Sequence, residues 1–257
     1  DYVASLNVEG VILDDRARDA AIRSVAEDDG ARALVVYIDS PGGSVVGGET
    51  LFLGLRAVAE NKPVVALMGD VATSAGYMAA LGADQVYART GSLTGSIGVI
   101  LQSADVTGLL EKLGIKPESV KSAPLKAQPN PMEPFSPQAR QATREVVLDV
   151  FEQFVDLVAE RRELPRDEAL KLADGRVFTG RQAKALGLID ALGGEPEARK
   201  WLKETHGVGE SLPMRSVKVE REDGVWRELL ESSVGKTVFS ERLRLDGLIS
   251  LWQPDMW

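Results

Sequence analysis

Ser74 is the residue of this chain best placed to do chemistry. It lies in Gly69-Asp70-Val71-Ala72-Thr73-Ser74-Ala75-Gly76-Tyr77, where an apolar strand leads in and a helix of small residues is expected to leave. A hydroxyl at a strand-to-helix turn can act as a nucleophile if a base removes its proton and hydrogen-bond donors receive the oxyanion formed on the attacked carbonyl. A second strand-to-helix junction, Asp39-Ser40-Pro41-Gly42-Gly43-Ser44, offers bare backbone amides. Amides at a helix start lack intrahelical partners, which makes Gly43 and Ala75 candidate donors; one such donor is typically worth roughly 3 to 4 kcal/mol. Read one motif at a time, the same residues also fit a helix-capping serine and a plain glycine turn.

The base is harder to place. The one histidine, His206, sits in Glu204-Thr205-His206-Gly207 at an expected helix end and reads as a surface residue. Lysine remains. A free ammonium, with a pKa near 10.4, is neutral in only about one molecule in a thousand at neutral pH, so base work needs desolvation to lower it by roughly three units. Lys126 has suitable neighbours in Ala123, Pro124, Leu125 and Ala127, whereas Lys112 and Lys116 lie among Glu111 and Glu118; Lys121 is the rival.

The rest of the composition narrows the options. The chain has 257 residues, a formal net charge of -9 and no cysteine. Thiolate catalysis, disulfides and cysteine-ligated zinc are excluded, and one histidine cannot make a two-histidine metal site, so neither a metal nor a cofactor is expected. Nucleic acid is not an expected partner, because phosphate binding needs clustered Lys and Arg. Gly235-Lys236-Thr237 lacks the earlier glycine of a phosphate loop, where Leu230 stands, and the Gly42 to Gly48 cluster lacks the dinucleotide order. No apolar stretch is long enough to cross a bilayer. Asp1 is no translation start, and the chain reads as the soluble portion of a longer protein.

The elements that must carry these residues alternate. Strands are expected at Val3 to Val8 with Gly10 to Ile12, Ala33 to Ile38, Pro63 to Met68, Gln85 to Ala88, Ile97 to Leu101 and Lys116 to Lys121, with a further one at Leu188-Ile189. Helices are expected over Asp14 to Glu27, Val45 to Ala59, Val71 to Leu81 and Val106 to Leu113. A long one starts at Ser136, as N-cap, with Pro137 at its first position, and a short one at the capping box Thr179 to Gln182. Five prolines between Pro117 and Pro134 make an extended arm. Alternation of this kind implies an α/β fold with parallel strands. The main domain is expected over residues 1–206. Residues 207–257 form an amphipathic tail with Trp226, Trp252 and Trp257, suited to contact with its own domain, a second subunit or a membrane surface.

Four blocks, Asp39 to Ser44, Ala72 to Tyr77, Leu93 to Gly98 and Ala173 to Gly180, occur in the order found in signal peptide peptidase A, and from about Val8 to Gly194 the chain resembles this serine–lysine family, peptidase family S49. The resemblance implies a ClpP/crotonase-like spiral of ββα units with parallel sheets. It places the nucleophile on Ser74, the general base on Lys126, the residue that orients the lysine amine on Ser96, and the oxyanion donors on the amides of Gly43 and Ala75. Ala75 stands where the family commonly has glycine, and Ala127 follows the lysine where an acid or small polar residue is common. The implied activity is hydrolysis of remnant signal peptides and other unstructured or membrane-associated peptides by a Ser-Lys dyad. Short members resemble homo-oligomeric rings or domes, such as octamers, held at the extracytoplasmic face of the cell membrane by a segment absent here, with serine and lysine contributed by neighbouring protomers. The competing readings are a crotonase-type acyl-CoA enzyme, with Glu49 the one carboxylate close behind the Gly43 turn, and a ring scaffold without activity.

Overall fold

The computed structural model describes residues 1–220 and 249–251. β1 (Tyr2–Ile12) is followed by α1 (Arg16–Glu27), whose start is fixed by the Asp15 carboxylate accepting from the amides of Ala17 and Arg18. Then come β2 (Ala31–Ser44), α2 (Val45–Ala59), β3 (Val64–Thr73) and α3 (Ala75–Ala80). β4 (Gln85–Ala88), β5 (Leu93–Gly95) and α4 (Thr107–Lys112) lead to the longest helix, α5 (Pro137–Arg162). The chain continues through α6 (Arg166–Leu172), β6 (Val177–Thr179), α7 (Gly180–Ala185), β7 (Ala191–Leu192), α8 (Glu195–His206), β8 (Met214–Ser216) and β9 (Ile249–Leu251).

The strands join in one mixed sheet, ordered β6-β5-β3-β2-β1-β8, with β4 and β9 branching from β3 and β2. Pairing is parallel except between β2 and β9 and between β5 and β6. The branch from β3 divides that strand in two. Residues Val65 to Met68 of β3 pair with β4, whereas Val71 to Thr73, beyond Gly69-Asp70, pair with β5. The β2 strand is covered on both faces, as a buried parallel strand should be. Leu34, Val36 and Ile38 enter a core with Ile22, Leu51, Tyr77 and Phe154, while Ala33 and Val35 face a second core that includes Leu202 of α8.

Several elements differ from expectation. The Asp39 to Ser44 glycine run was expected as a turn but continues β2, because its backbone pairs with β1 through Val11↔Gly42 and Ile12↔Gly43 and with β9 on its other side. Gly69-Asp70 likewise lies within β3, and the helix expected from Val71 starts only at Ala75, since Val71 to Thr73 are taken up by pairing with β5. Ile97 and Leu188-Ile189 are buried core residues of connecting segments rather than strands. Lys116 to Val120 are exposed and form no strand.

Residues beyond 206 contribute to the sheet: Met214–Ser216 pairs parallel with Val3 to Ser5, and Ile249–Leu251 pairs antiparallel with Gly42 to Ser44. Trp226, Trp252 and Trp257, on which the amphipathic reading of the tail rests, lie outside the described residues. Among the described residues no helix is long and apolar enough to cross a membrane.

Candidate active site

Ser74 closes β3 and precedes the first residue of α3 with φ 58° and ψ -119°, a conformation that costs a non-glycine residue on the order of 1–3 kcal/mol. Its hydroxyl does not cap the helix, so the capping-serine reading does not describe it. The strained turn is held by its surroundings. The Ser74 amide donates to Gly95 O at 2.8 Å, and the Met78 amide donates to Ser74 O at 2.9 Å. All six residues of α3 are buried, and the Tyr77 hydroxyl donates to Leu188 O at 2.8 Å. Ser74 itself has no exposed surface.

Ser96 arrives beside it by the same construction on the neighbouring strand. Thr73 is in register with Gly95, so Ser74 and Ser96 each stand one residue past a matched pair on adjacent parallel strands, and Ser96 also has a positive φ of 50°. The Ser96 amide donates to Arg176 O at 2.8 Å, and its side chain is nearly buried. The strand on the other side brings the glycines. Ser40 is in register with Ala72, which places Pro41 to Ser44 against the end of β3. Gly43 fits only as glycine, because a Cβ there would lie 1.8 Å from Ile12 O. The C-terminal ends of three neighbouring strands thus carry Ser74 with Ala75, Ser96 and Gly43.

The lysines sit elsewhere. Lys126 lies in an exposed turn of the arm, with its amide donating to Ala123 O and the next residue, Ala127, at φ 59°. Its amine has no hydrogen-bond or ion-pair partner among the described residues, and within one chain it does not join the buried Ser74. Lys121 is engaged: its amine pairs with Glu133, whose carboxylate also accepts from Ser119 and Gln128. These bonds, the one from Lys121 foremost, hold the Glu133 carboxyl below its usual range. His206 is exposed at the end of α8, edge-on to Trp201. Glu49 is exposed on α2.

Sequence reasoning passed over two side chains. The Thr73 hydroxyl donates to Pro41 O at 3.1 Å, and the buried Ser40 hydroxyl accepts from the Gly42 amide at 3.1 Å and donates to Gly42 O at 3.2 Å. Their signal was present only as hydroxyls within the two motifs.

A buried serine at a strained strand-to-helix turn, next to backbone amides on a branched parallel sheet, is the arrangement of a serine hydrolase. Comparison with known proteins specifies which one. The model of peptidase family S49 matches residues 56–209, and the chain belongs to this family. A protein of Synechocystis sp. provisionally named a protease is 36% identical over 208 residues, 80% of this chain and 75% of the relative. The chloroplastic serine protease SPPA of Arabidopsis thaliana is 32% identical over 232 residues, 89% of this chain but 34% of that protein. Protease 4 of Salmonella typhi is 35% identical over 73% of this chain and 29% of its own length. Among solved structures, a point mutant of ClpP1 from Listeria monocytogenes superposes with a TM-score of 0.51 at 14% identity, covering 75% of this chain and 92% of that one, which establishes a ClpP-like fold. The chain is a serine protease, and the acyl-CoA and scaffold readings give way to that membership.

Proposed function

We propose that this serine protease cleaves extended peptides with Ser74 as nucleophile and Lys126 of a neighbouring subunit as general base, Ser96 orienting the amine and the amides of Gly43 and Ala75 receiving the oxyanion. The observation that carries this reading is the separation of the pair within one chain: Ser74 is buried and Lys126 is exposed on a projecting arm, without a partner for its charge among the described residues. A solvated ammonium cannot take a proton from serine, but an arm docked on a second copy would bury the amine. Burial there would favour its neutral form. The arm and the segment leading into it are dressed for such docking, since Leu109, Leu113, Ile115, Val120 and Met132 are exposed, as is Val146 on the adjoining half of α5. The Lys121 amine is already engaged by Glu133.

The substrate follows from the groove. The edge of β2 at Gly42 to Ser44 already accepts an extended segment in antiparallel pairing, the chain's own Ile249–Leu251, and a substrate peptide would bind in the same way. Beside it, between α2 and α5, a cavity of about 140 Å³ is lined mainly by Val45, Phe52, Leu53, Met78, Phe154 and Leu157, which suits an apolar side chain near the scissile bond. Remnant signal peptides and unfolded membrane-associated segments have that character, and the proposed location is the extracytoplasmic face of the cell membrane.

Hydrolysis of an apolar fluorogenic peptide by the assembled protein tests the reading. Ser74→Ala and Lys126→Ala are expected to lose activity by a factor of about 10⁴ or more, as for other nucleophile and base deletions, and Lys121→Ala to keep it. An active Lys126→Ala variant would overturn the assignment of the base.

A further inference from the structure

The amide of Gly43 is useful only if its peptide plane faces the right way. A trans peptide unit is planar, so its C=O and N–H point in opposite directions and fixing one aims the other. The peptide units of this turn are trans. The carbonyl of the Gly42-Gly43 unit accepts from Ser40 Oγ at 3.2 Å. In the preceding Pro41-Gly42 unit both poles are held, the N–H by Ser40 Oγ at 3.1 Å and the carbonyl by Thr73 Oγ1 at 3.1 Å. One hydroxyl therefore grips two successive planes, using its single proton and a lone pair.

We propose that Ser40 is a positioning residue that latches the Gly42-Gly43 peptide with its N–H toward the oxyanion, and that Thr73, next to the nucleophile, fixes the plane before it. The inference rests on the reading above that the Gly43 amide is an oxyanion donor. A latch adds to the ladder pairing with β1 and β9 because this plane lies between two glycines. Gly42 has φ 120°, which only glycine adopts without strain, and neither residue has a side chain to resist a flip. Flipped, the unit would present the Gly42 carbonyl, an acceptor, to a negative oxygen. Ser40 is fully buried, and α3 packs on it: a Cβ on Gly76 would lie 3.1 Å from Ser40 O and 3.4 Å from Ser40 Cβ. The latch is thereby built against the helix that starts at the nucleophile.

The test compares Ser40→Ala, Thr73→Val and Thr73→Ser in the assembled full chain, with kcat, KM and the Ki of a peptide boronate, whose tetrahedral adduct on serine carries an anionic oxygen. An intact donor is worth roughly 10²–10³ in kcat, so a donor aimed correctly only part of the time should cost Ser40→Ala about 10- to 100-fold. KM should stay within about 2-fold, and boronate affinity should fall in step with kcat. Thr73→Val should lose about 10-fold, and Thr73→Ser, which keeps the hydroxyl, should regain most of it. A crystal structure of Ser40→Ala should show the Gly42-Gly43 plane turned or in two orientations. An unmoved plane with kcat per folded enzyme within about 3-fold of the parent would overturn the latch, as would a loss confined to KM or to thermal stability. Should Ser40→Ala not fold, the Thr73 pair decides by the same criteria. If Ser74→Ala still hydrolysed peptides, the assignment of the site would fall, and the orientation of the plane in Ser40→Ala would still judge the latch.

Discussion

At the scale of single residues the site is made by backbone that side chains cannot replace. Ser74 and Ser96 both sit at positive φ, where a non-glycine residue persists only because the surroundings hold it. For Ser74 that hold is the bond from its amide to Gly95 O and the burial of α3. Gly43 is held by exclusion. Replacing it with alanine would set a methyl group 1.8 Å from Ile12 O and 2.5 Å from Ile12 C, backbone that cannot move without breaking the β1–β2 ladder. Gly43→Ala should therefore cost about 3 kcal/mol or more and displace the Gly43 amide proposed as an oxyanion donor. Chemical denaturation with a parallel peptide assay checks both effects, and a variant with wild-type stability would show that the strand end yields.

At the scale of elements, two segments control access and assembly. Ile249–Leu251 occupies the β2 edge proposed for substrate, in the register Gly43↔Ser250, so the chain's own strand competes with an incoming peptide. A chain ending at residue 248 is expected to show a KM lower by on the order of tenfold, because a tethered competitor acts at high effective concentration, with kcat unchanged. Unchanged KM would mean that β9 does not compete. The arm has its own stabilising cluster at Glu133, which accepts from Lys121, Ser119 and Gln128. These bonds lower the Glu133 pKa in the folded protein. A lowered carboxyl pKa stabilises the fold at pH values above the unfolded value, and that contribution is lost as the pH falls through the lower, folded one. Amide exchange over residues 119–133, corrected for intrinsic rates, should accelerate in acid, and in Glu133→Gln it should be fast already at neutral pH.

At the scale of the whole molecule the proposal is that one subunit is not a complete enzyme. Mixing inactive Ser74→Ala with inactive Lys126→Ala before assembly tests this directly. If serine and lysine come from neighbours, random mixing joins an intact serine to an intact lysine at about a quarter of the interfaces, and activity should return to about a quarter of the parent level. A dyad within one chain predicts none. Dilution to the monomer should likewise abolish turnover in the unmutated protein.

The sequence alone determined the alternation of strands and helices, the caps at Ser136 and Thr179, and the two motifs that carry Ser74 and Gly43, because these depend on local periodicity, capping chemistry and residues a few positions apart. Local signals misplaced the strand ends: glycine runs that look like turns became strand, Asp39 to Ser44 where β1 and β9 pair with it and Gly69-Asp70 between the stretches that pair with β4 and β5. The register of adjacent strands, Thr73 with Gly95 and Ser40 with Ala72, was decided only by tertiary structure, since it rests on contacts between residues far apart in the chain. That register brings Ser96 and Ser40 to the strand that ends at Ser74. The same tertiary structure leaves Lys126 exposed on the arm while Ser74 is buried.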